Sequence, residues 1–252
     1  MLLNPEIVLS PSQASTFLGC SAKWYFRYML ELPDPAGAGL VRGKAVHGVV
    51  EYAMKAKIEG YELEPAALGD AYDDAWERAA EGAQFAEYDD VDALKTSGAQ
   101  LARKWLEEAA PYIEPAACEV PVAGEIGGVR VRGIVDILDT SGRVIDLKTA
   151  SRKPSGLSAD HALQLATYAA LTPGASGEAR IDTLVSTKDP QLILTEHTPG
   201  PAGQRLVERI YPLVAEGIAG GLFTPNRGAM LCSRRLCSFW RECEAEFGGV
   251  VE

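Results

Sequence analysis

The chain is short of several things, and each shortage narrows what it does. None of its 252 residues falls in an uninterrupted apolar run approaching the roughly 20 residues of a membrane-spanning helix. A helical membrane protein is thereby excluded. The opening MLLNPEIVLS lacks the basic-then-apolar order of a signal peptide, so a soluble, cytoplasmic protein is expected, with thiols kept reduced rather than paired as disulfides. No internal repeat is visible, which excludes a solenoid. No low-complexity linker is visible either, so one continuous domain over 1–252 is expected. A basic excess is also missing: the formal net charge is −11, at first sight a poor partner for a phosphate backbone.

The distribution of charge reverses that first impression. Between Glu59 and Asp92 twelve acids stand against Arg78 alone, so this stretch holds the whole excess. Outside it, twenty-three acids meet twenty-three bases. Two zones are locally basic, Lys23 to Lys57 and a tail with Arg227, Arg234, Arg235 and Arg241. A neutral body with local basic zones can bind nucleic acid.

The pattern of elements is mixed. SPSQASTFLGC starts a helix, with Ser10 as cap, Pro11 in its first turn and Gln13 as capping partner. SAKWYFRYML continues as a second, aromatic-rich helix. GKAVHGVVEYAMKAKI has helical spacing, with His47 and Glu51 four apart on one face. Residues 65–83 and about 91–110 read as acidic, alanine-rich helices. ACEVPVAGEI, VRVRGIVDIL and RVIDLKT read as strands. SADHALQLATYAAL returns to helix, capped by Ser158 or Asp160. ARIDTLVST and QLILTEHT are strands, and residues 202–222 a helix that Pro212 kinks or breaks. The order predicts an α/β fold with a helical insertion at about 59–112 and a core at about 113–200.

Three charges sit inside the apolar strands: Asp136, Asp146 and Lys148. Such charges are costly unless paired, hydrated or bound. Alternation puts Asp146 and Lys148 on one face of their strand. A three-residue turn, Thr140-Ser141-Gly142, places Asp136 opposite Asp146; a two-residue turn, Ser141-Gly142, puts the two on opposite faces. In the first case two carboxylates share a patch and repel, and a divalent cation resolves the conflict. With a lysine beside it, such a set suits hydrolysis of a phosphodiester. A surface ion pair on an edge strand explains Asp-x-Lys without chemistry.

The wider context resembles a known family. GIVDI, then DLKT ten residues on, then QLATY, with GKAVH upstream and SPSQASTFLGCSAKWYFRY at the start, is similar in kind and order to the RecB-like branch of the PD-(D/E)XK nuclease superfamily. The resemblance implies a restriction-endonuclease-like core, a mixed sheet flanked by helices. It implies Asp136 and Asp146 as metal-binding acids, His47 as a further ligand, the Leu147 carbonyl as another, and Lys148 as the catalytic lysine. It implies Gln164 and Tyr168, on one face of their helix, as residues that position the lysine or touch phosphate. Mg²⁺ or Mn²⁺ is the implied metal and DNA, as a single strand or a duplex end, the implied partner. Glu51 and Glu119 are second choices for a further carboxylate.

Cys232, Cys237 and Cys243 are spaced Cys-x4-Cys-x5-Cys, and Cys20 makes a fourth thiolate. Four suffice for a Cys₄ site, while Cys118 lies in an apolar strand and reads as structural. One early and three late cysteines resemble the iron–sulfur subset of RecB-like nucleases, which includes CRISPR-associated exonucleases, the AddB nuclease and phage relatives. That implies a [4Fe–4S] clasp formed by Cys20 and residues 232–243, with Arg234, Arg235 and Arg241 displayed beside the active face. The four-residue first gap departs from the two-residue gap common there. Zinc is the other candidate occupant.

The expected function is therefore a metal-dependent DNA exonuclease serving recombination, repair or replication. The rivals are a catalytically silent DNA-binding or assembly subunit of a recombination or CRISPR-type complex, and a Cys₄ redox or zinc protein unrelated to DNA. Trp24, Tyr25 and Phe26 are candidates for stacking on bases.

Overall fold

A computed structural model describes residues 7–252. Residues 1–6, on which part of the signal-peptide expectation falls, lie outside the described residues. The elements in chain order are β1 (Val8–Leu9), α1 (Pro11–Gly19), α2 (Ser21–Trp24) running into a π-helical turn (Tyr25–Met29), α3 (Ala38–Glu59), α4 (Pro65–Ala80), α5 (Val91–Glu108), β2 (Pro115–Ile126), β3 (Val129–Asp139), β4 (Val144–Ala150), α6 (Ala159–Leu171), β5 (Ala179–Val185), β6 (Gln191–His197), α7 (Gly200–Ala219) and α8 (Trp240–Phe247). β1 and α8 are elements that the sequence pattern does not predict.

Local signals account for the boundaries. Ser10 accepts from the Gln13 amide and Pro11 opens α1. Ser158, rather than Asp160, caps α6 by accepting from the His161 amide. α3 closes on Gly60, whose φ of 79° suits glycine. Pro212, expected to kink or break the last long helix, does not break it: α7 runs on through it. One face of α7 buries Val207, Tyr211, Val214, Ala215 and Ile218. Each large apolar side chain among them contributes about 1.5–3 kcal/mol when fully buried, and together they exceed the roughly 3 kcal/mol a helical proline costs.

The six strands form one mixed sheet. β3 is central: β2 runs antiparallel along one of its edges, while β1 and β4 share the other. β4 and β5 are parallel, and β6 closes antiparallel on β5. Helices cover both faces. α3, α4 and α5 bury Val46, Val50, Leu101 and Trp105 against Ile137, Ile145, Leu147 and Leu184. α6 packs Leu165 and Tyr168 on the opposite face against Val135, Val144 and Ile181. This is the α/β arrangement of a mixed sheet flanked by helices. No helix among the described residues is long and apolar enough to cross a membrane.

Candidate active site

The β3–β4 hairpin decides how the charged residues meet. Its register pairs Ile137 with Ile145 and Leu138 with Val144. The Asp139 amide donates to the Arg143 carbonyl at 3.1 Å, and Gly142 closes the turn with φ 79°. The loop is thus Thr140-Ser141-Gly142, the three-residue alternative, and one step along the register Asp136 lies opposite Asp146.

The ladder stops at that step. Asp136 Oδ2 accepts the Leu147 amide at 2.7 Å, so a carboxylate replaces the main-chain acceptor and the strands part. β3 also turns about its axis here. Val135 belongs to the core under α6, whereas Ile137, two residues on, belongs to the core under α3. A regular strand would place both on one face. The site therefore opens in a seam reached from both sides of the sheet.

From the α3 side comes His47, with Nδ1 3.5 Å from Asp136 Oδ2. From the α6 side comes Gln164, whose Nε2 donates to Asp146 Oδ1 at 2.9 Å and to Tyr168 Oη at 3.1 Å. Lys148 Nζ stands 2.6 Å from Asp146 Oδ2. It is an ion pair set at an angle, so that oxygen, on a residue only 1% exposed, has no aligned hydrogen-bond donor. Burial pushes the Asp146 carboxyl up and Asp136 adds to the rise, while Lys148 and His47 oppose it. Leu147 sits between the aspartates with its side chain in the α3-side core.

The glycine of GIVDI has a job in this arrangement. A Cβ on Gly133 would come within 2.6 Å of Tyr168 Cε1, so only glycine leaves room for the ring that receives Gln164. Burial also pushes the Tyr168 hydroxyl well above its ordinary range, which keeps it a neutral hydrogen-bonding group.

Two residues join the site beyond those that the sequence motifs put first. Glu119, on β2, brings a carboxylate oxygen within 4.8 Å of ligand atoms of both His47 and Asp136. Glu51, the other second choice, pairs instead with Lys55. His161 lies beside Lys148 on the wall of a groove of about 940 Å³ that also takes in Gln164, Tyr168, Arg132 and the start of α1. Burial, followed by the nearby lysine, lowers the His161 pKa. Its i, i+3 spacing from Gln164 is the signal that could have found it.

The residues suit a hard divalent ion. The donor set is one imidazole and three carboxylates, and the buried Asp146 Oδ2 has only the Lys148 ammonium beside it.

Cys20, Cys232, Cys237 and Cys243 line a second cavity, of about 250 Å³, with Phe26 and Phe239 among its walls. Cys20 is tied to the tail: its sulfur accepts the Asn226 amide at 3.4 Å, and Ser21 exchanges bonds with Thr224. Among the described residues no three thiols lie mutually within 4.8 Å. Burial pushes the Cys237 and Cys243 thiols up, and the neighbouring cysteines add to it. Cys118 stands apart on β2, its thiol raised to about 11 by burial. The tail arginines do not project freely. Arg234 and Arg241 lie against Trp240, at 4.8 and 4.7 Å, and Arg235 covers Tyr88 at 4.3 Å. Trp24 and Phe26 are buried and Tyr25 stacks on Phe223 at 4.8 Å, so these rings serve packing rather than base stacking.

No curated protein matches the chain. Among solved structures it is similar to a candidate exonuclease from Eubacterium rectale, with TM-score 0.60 and 16% identity over 97% of this chain and 89% of that one. It also aligns with SSO0001, at TM-score 0.42 and 16% identity over 92% of this chain and 96% of that one. The sequence profile of the PD-(D/E)XK nuclease superfamily matches residues 8–244, and the chain belongs to that superfamily.

Proposed function

We propose that the protein is a metal-dependent deoxyribonuclease of the RecB-like branch, an exonuclease that hydrolyses phosphodiester bonds of DNA. The observation that carries this reading is the convergence of Asp136, Asp146, Lys148 and Gln164 on the opened β3–β4 seam, beside a groove roomy enough for a nucleic-acid strand. Asp136, Asp146, His47 and the Leu147 carbonyl hold Mg²⁺ or Mn²⁺. Such an ion lowers the pKa of bound water from about 15.7 toward neutrality.

The chain's own groups do the rest. Lys148 orients the attacking water and offsets charge developing on the phosphate. Gln164 fixes the Asp146 carboxylate through one oxygen and leaves the other to Lys148 and the metal side. Tyr168 holds Gln164 in that orientation. The groove wall with Arg132 and His161 receives the strand.

The four-cysteine cavity belongs, in this reading, to a [4Fe–4S] clasp joining the chain ends. What supports a shared site is that all four cysteines line one cavity; zinc, which Cys₄ sites also hold, is the other occupant. Anaerobically purified protein is then brown and carries about four irons; a colourless, zinc-loaded protein points to the other occupant. A cytoplasmic role in recombination, repair or replication, with partners in such a complex or a CRISPR-type one, accords with the branch.

The test is degradation of end-labelled DNA of both polarities, with Mg²⁺ or Mn²⁺, by wild type, Asp146→Ala and Lys148→Ala. Degradation by the wild type alone is expected. Equal degradation by all three removes the site, and metal-replete binding without cleavage selects the silent DNA-binding subunit.

A further inference from the structure

We propose that Glu119 is a metal ligand, and that with His47 and Asp136 it forms a second cation position on the α3 side of the seam. Asp136 would be shared with the position held by Asp146 and the Leu147 carbonyl, and His47 would serve the second position when both are filled and the first when only one ion is bound. The inference rests on the metal-centre part of the nuclease reading and extends it to two ions.

The placement of Glu119 comes from the register. β2 and β3 pair regularly on either side, Cys118 with Ile137 and Val120 with Val135, which sets Glu119 opposite Asp136. At that step Glu119 takes φ 49°, in the left-handed region. Glycine or asparagine is the usual tenant of that conformation, since other residues crowd Cβ against the backbone. Here it coincides with the twist that carries β2 and β3 from one core to the other, and it delivers the carboxylate to His47 and Asp136.

The carboxylate arrives without a protein partner. The Glu119 side chain makes no hydrogen bond or ion pair with the described residues, whereas neighbouring Glu51 has Lys55. One imidazole and two carboxylates from three elements make a donor set suited to Mn²⁺ or Mg²⁺.

An independent observation points to a ligand on the other side of Asp136. Asp146 Oδ2 is fully buried, has an ammonium alongside and lacks an aligned donor. Two positions flanking one carboxylate is the layout of paired-ion phosphoryl-transfer centres, whose ions stand about 3.5–4 Å apart.

The experiment is a Mn²⁺ titration of the metal-free full chain, counting bound ions from the loss of the free-Mn²⁺ paramagnetic resonance signal. Wild type is expected to bind two ions per chain and Glu119→Gln one. Glu119→Gly, which tolerates φ 49°, is expected to melt higher than wild type without metal and to gain less from Mn²⁺. One ion bound by the wild type, or two by both wild type and Glu119→Gln, overturns the proposal. The count does not depend on cleavage: two ions with no DNA degradation would sink the nuclease reading alone, and degradation with one ion would sink this inference alone.

Discussion

At the scale of single residues, the chain separates carboxylates that hold the fold from carboxylates that serve the site. Asp139 is of the first kind. It accepts the Ser141 and Arg143 amides, the Ser141 hydroxyl and the Arg143 guanidinium. Burial alone would raise its pKa, but these bonds outweigh it and hold the group below the ordinary 3.8. A depressed carboxylate stabilises the fold above its unfolded pKa and loses that contribution as pH falls through the folded value. Asp139→Ala is therefore expected to cost about 1–3 kcal/mol at neutral pH, with the gap to wild type closing below about pH 3.8. Urea melts at pH 7 and pH 3 check this. Lys148 belongs to the proposed site. Lys148→Ala should cut turnover about 10²–10³-fold while leaving the melting temperature within a few degrees, read by single-turnover cleavage beside a thermal melt. Asp136, Asp146 and Lys148 are legible in the sequence because charge in an apolar strand demands a reason. Glu119 is legible only as a second choice beside Glu51, because CEVPV alternates like any strand and carries no residue that announces a left-handed backbone.

At the scale of elements, the site is the product of one turn and one helix-to-strand contact. Gly142 sets the three-residue turn, and a Cβ there would meet the Gly174 carbonyl at 2.4 Å besides sitting at φ 79°. Gly142→Ala should lose at least about 1–2 kcal/mol from the left-handed cost alone, measured by chemical denaturation. Gly133 sets the contact between β3 and α6. Gly133→Ala must push Tyr168 aside and with it the Gln164 bond, so kcat is expected to fall at least tenfold with KM little changed. A raised KM with normal kcat would contradict that role. Most elements are readable from periodicity and caps. The continuous α7 is not, because its proline is locally a breaker and its compensation lies in a buried stripe that only the fold assembles. β1, two residues long, leaves no periodicity to read.

At the scale of the molecule, the acidic excess and the chemistry are kept apart. The twelve acids between Glu59 and Asp92 fall on α4 and its flanking segments, while the site draws on the middle of α3, on α6 and on the sheet. A buried network joins the C-terminal half of α5, beyond the acidic stretch, to the sheet. Asp182, fully buried on β5, takes two bonds from Arg180, at 2.6 and 2.9 Å, and one from the Trp105 indole on α5 at 2.8 Å. Removing the carboxylate strands the Arg180 charge inside. Asp182→Ala is therefore expected to lose about 3–5 kcal/mol, observed as a lowered urea midpoint, whereas a surface pair such as Lys104 with Glu108 should be worth at most about 0.5 kcal/mol. This network is not legible in the sequence, since Arg-x-Asp in a strand reads as readily as a solvent-facing pair.

Manganese located by anomalous X-ray scattering in crystals of DNA-degrading protein tests the site most directly. A peak is expected in the parted β3–β4 seam, within coordination distance of Asp136, Asp146 and the Leu147 carbonyl. Active crystals with that seam empty and manganese bound elsewhere would contradict the metal-centred mechanism.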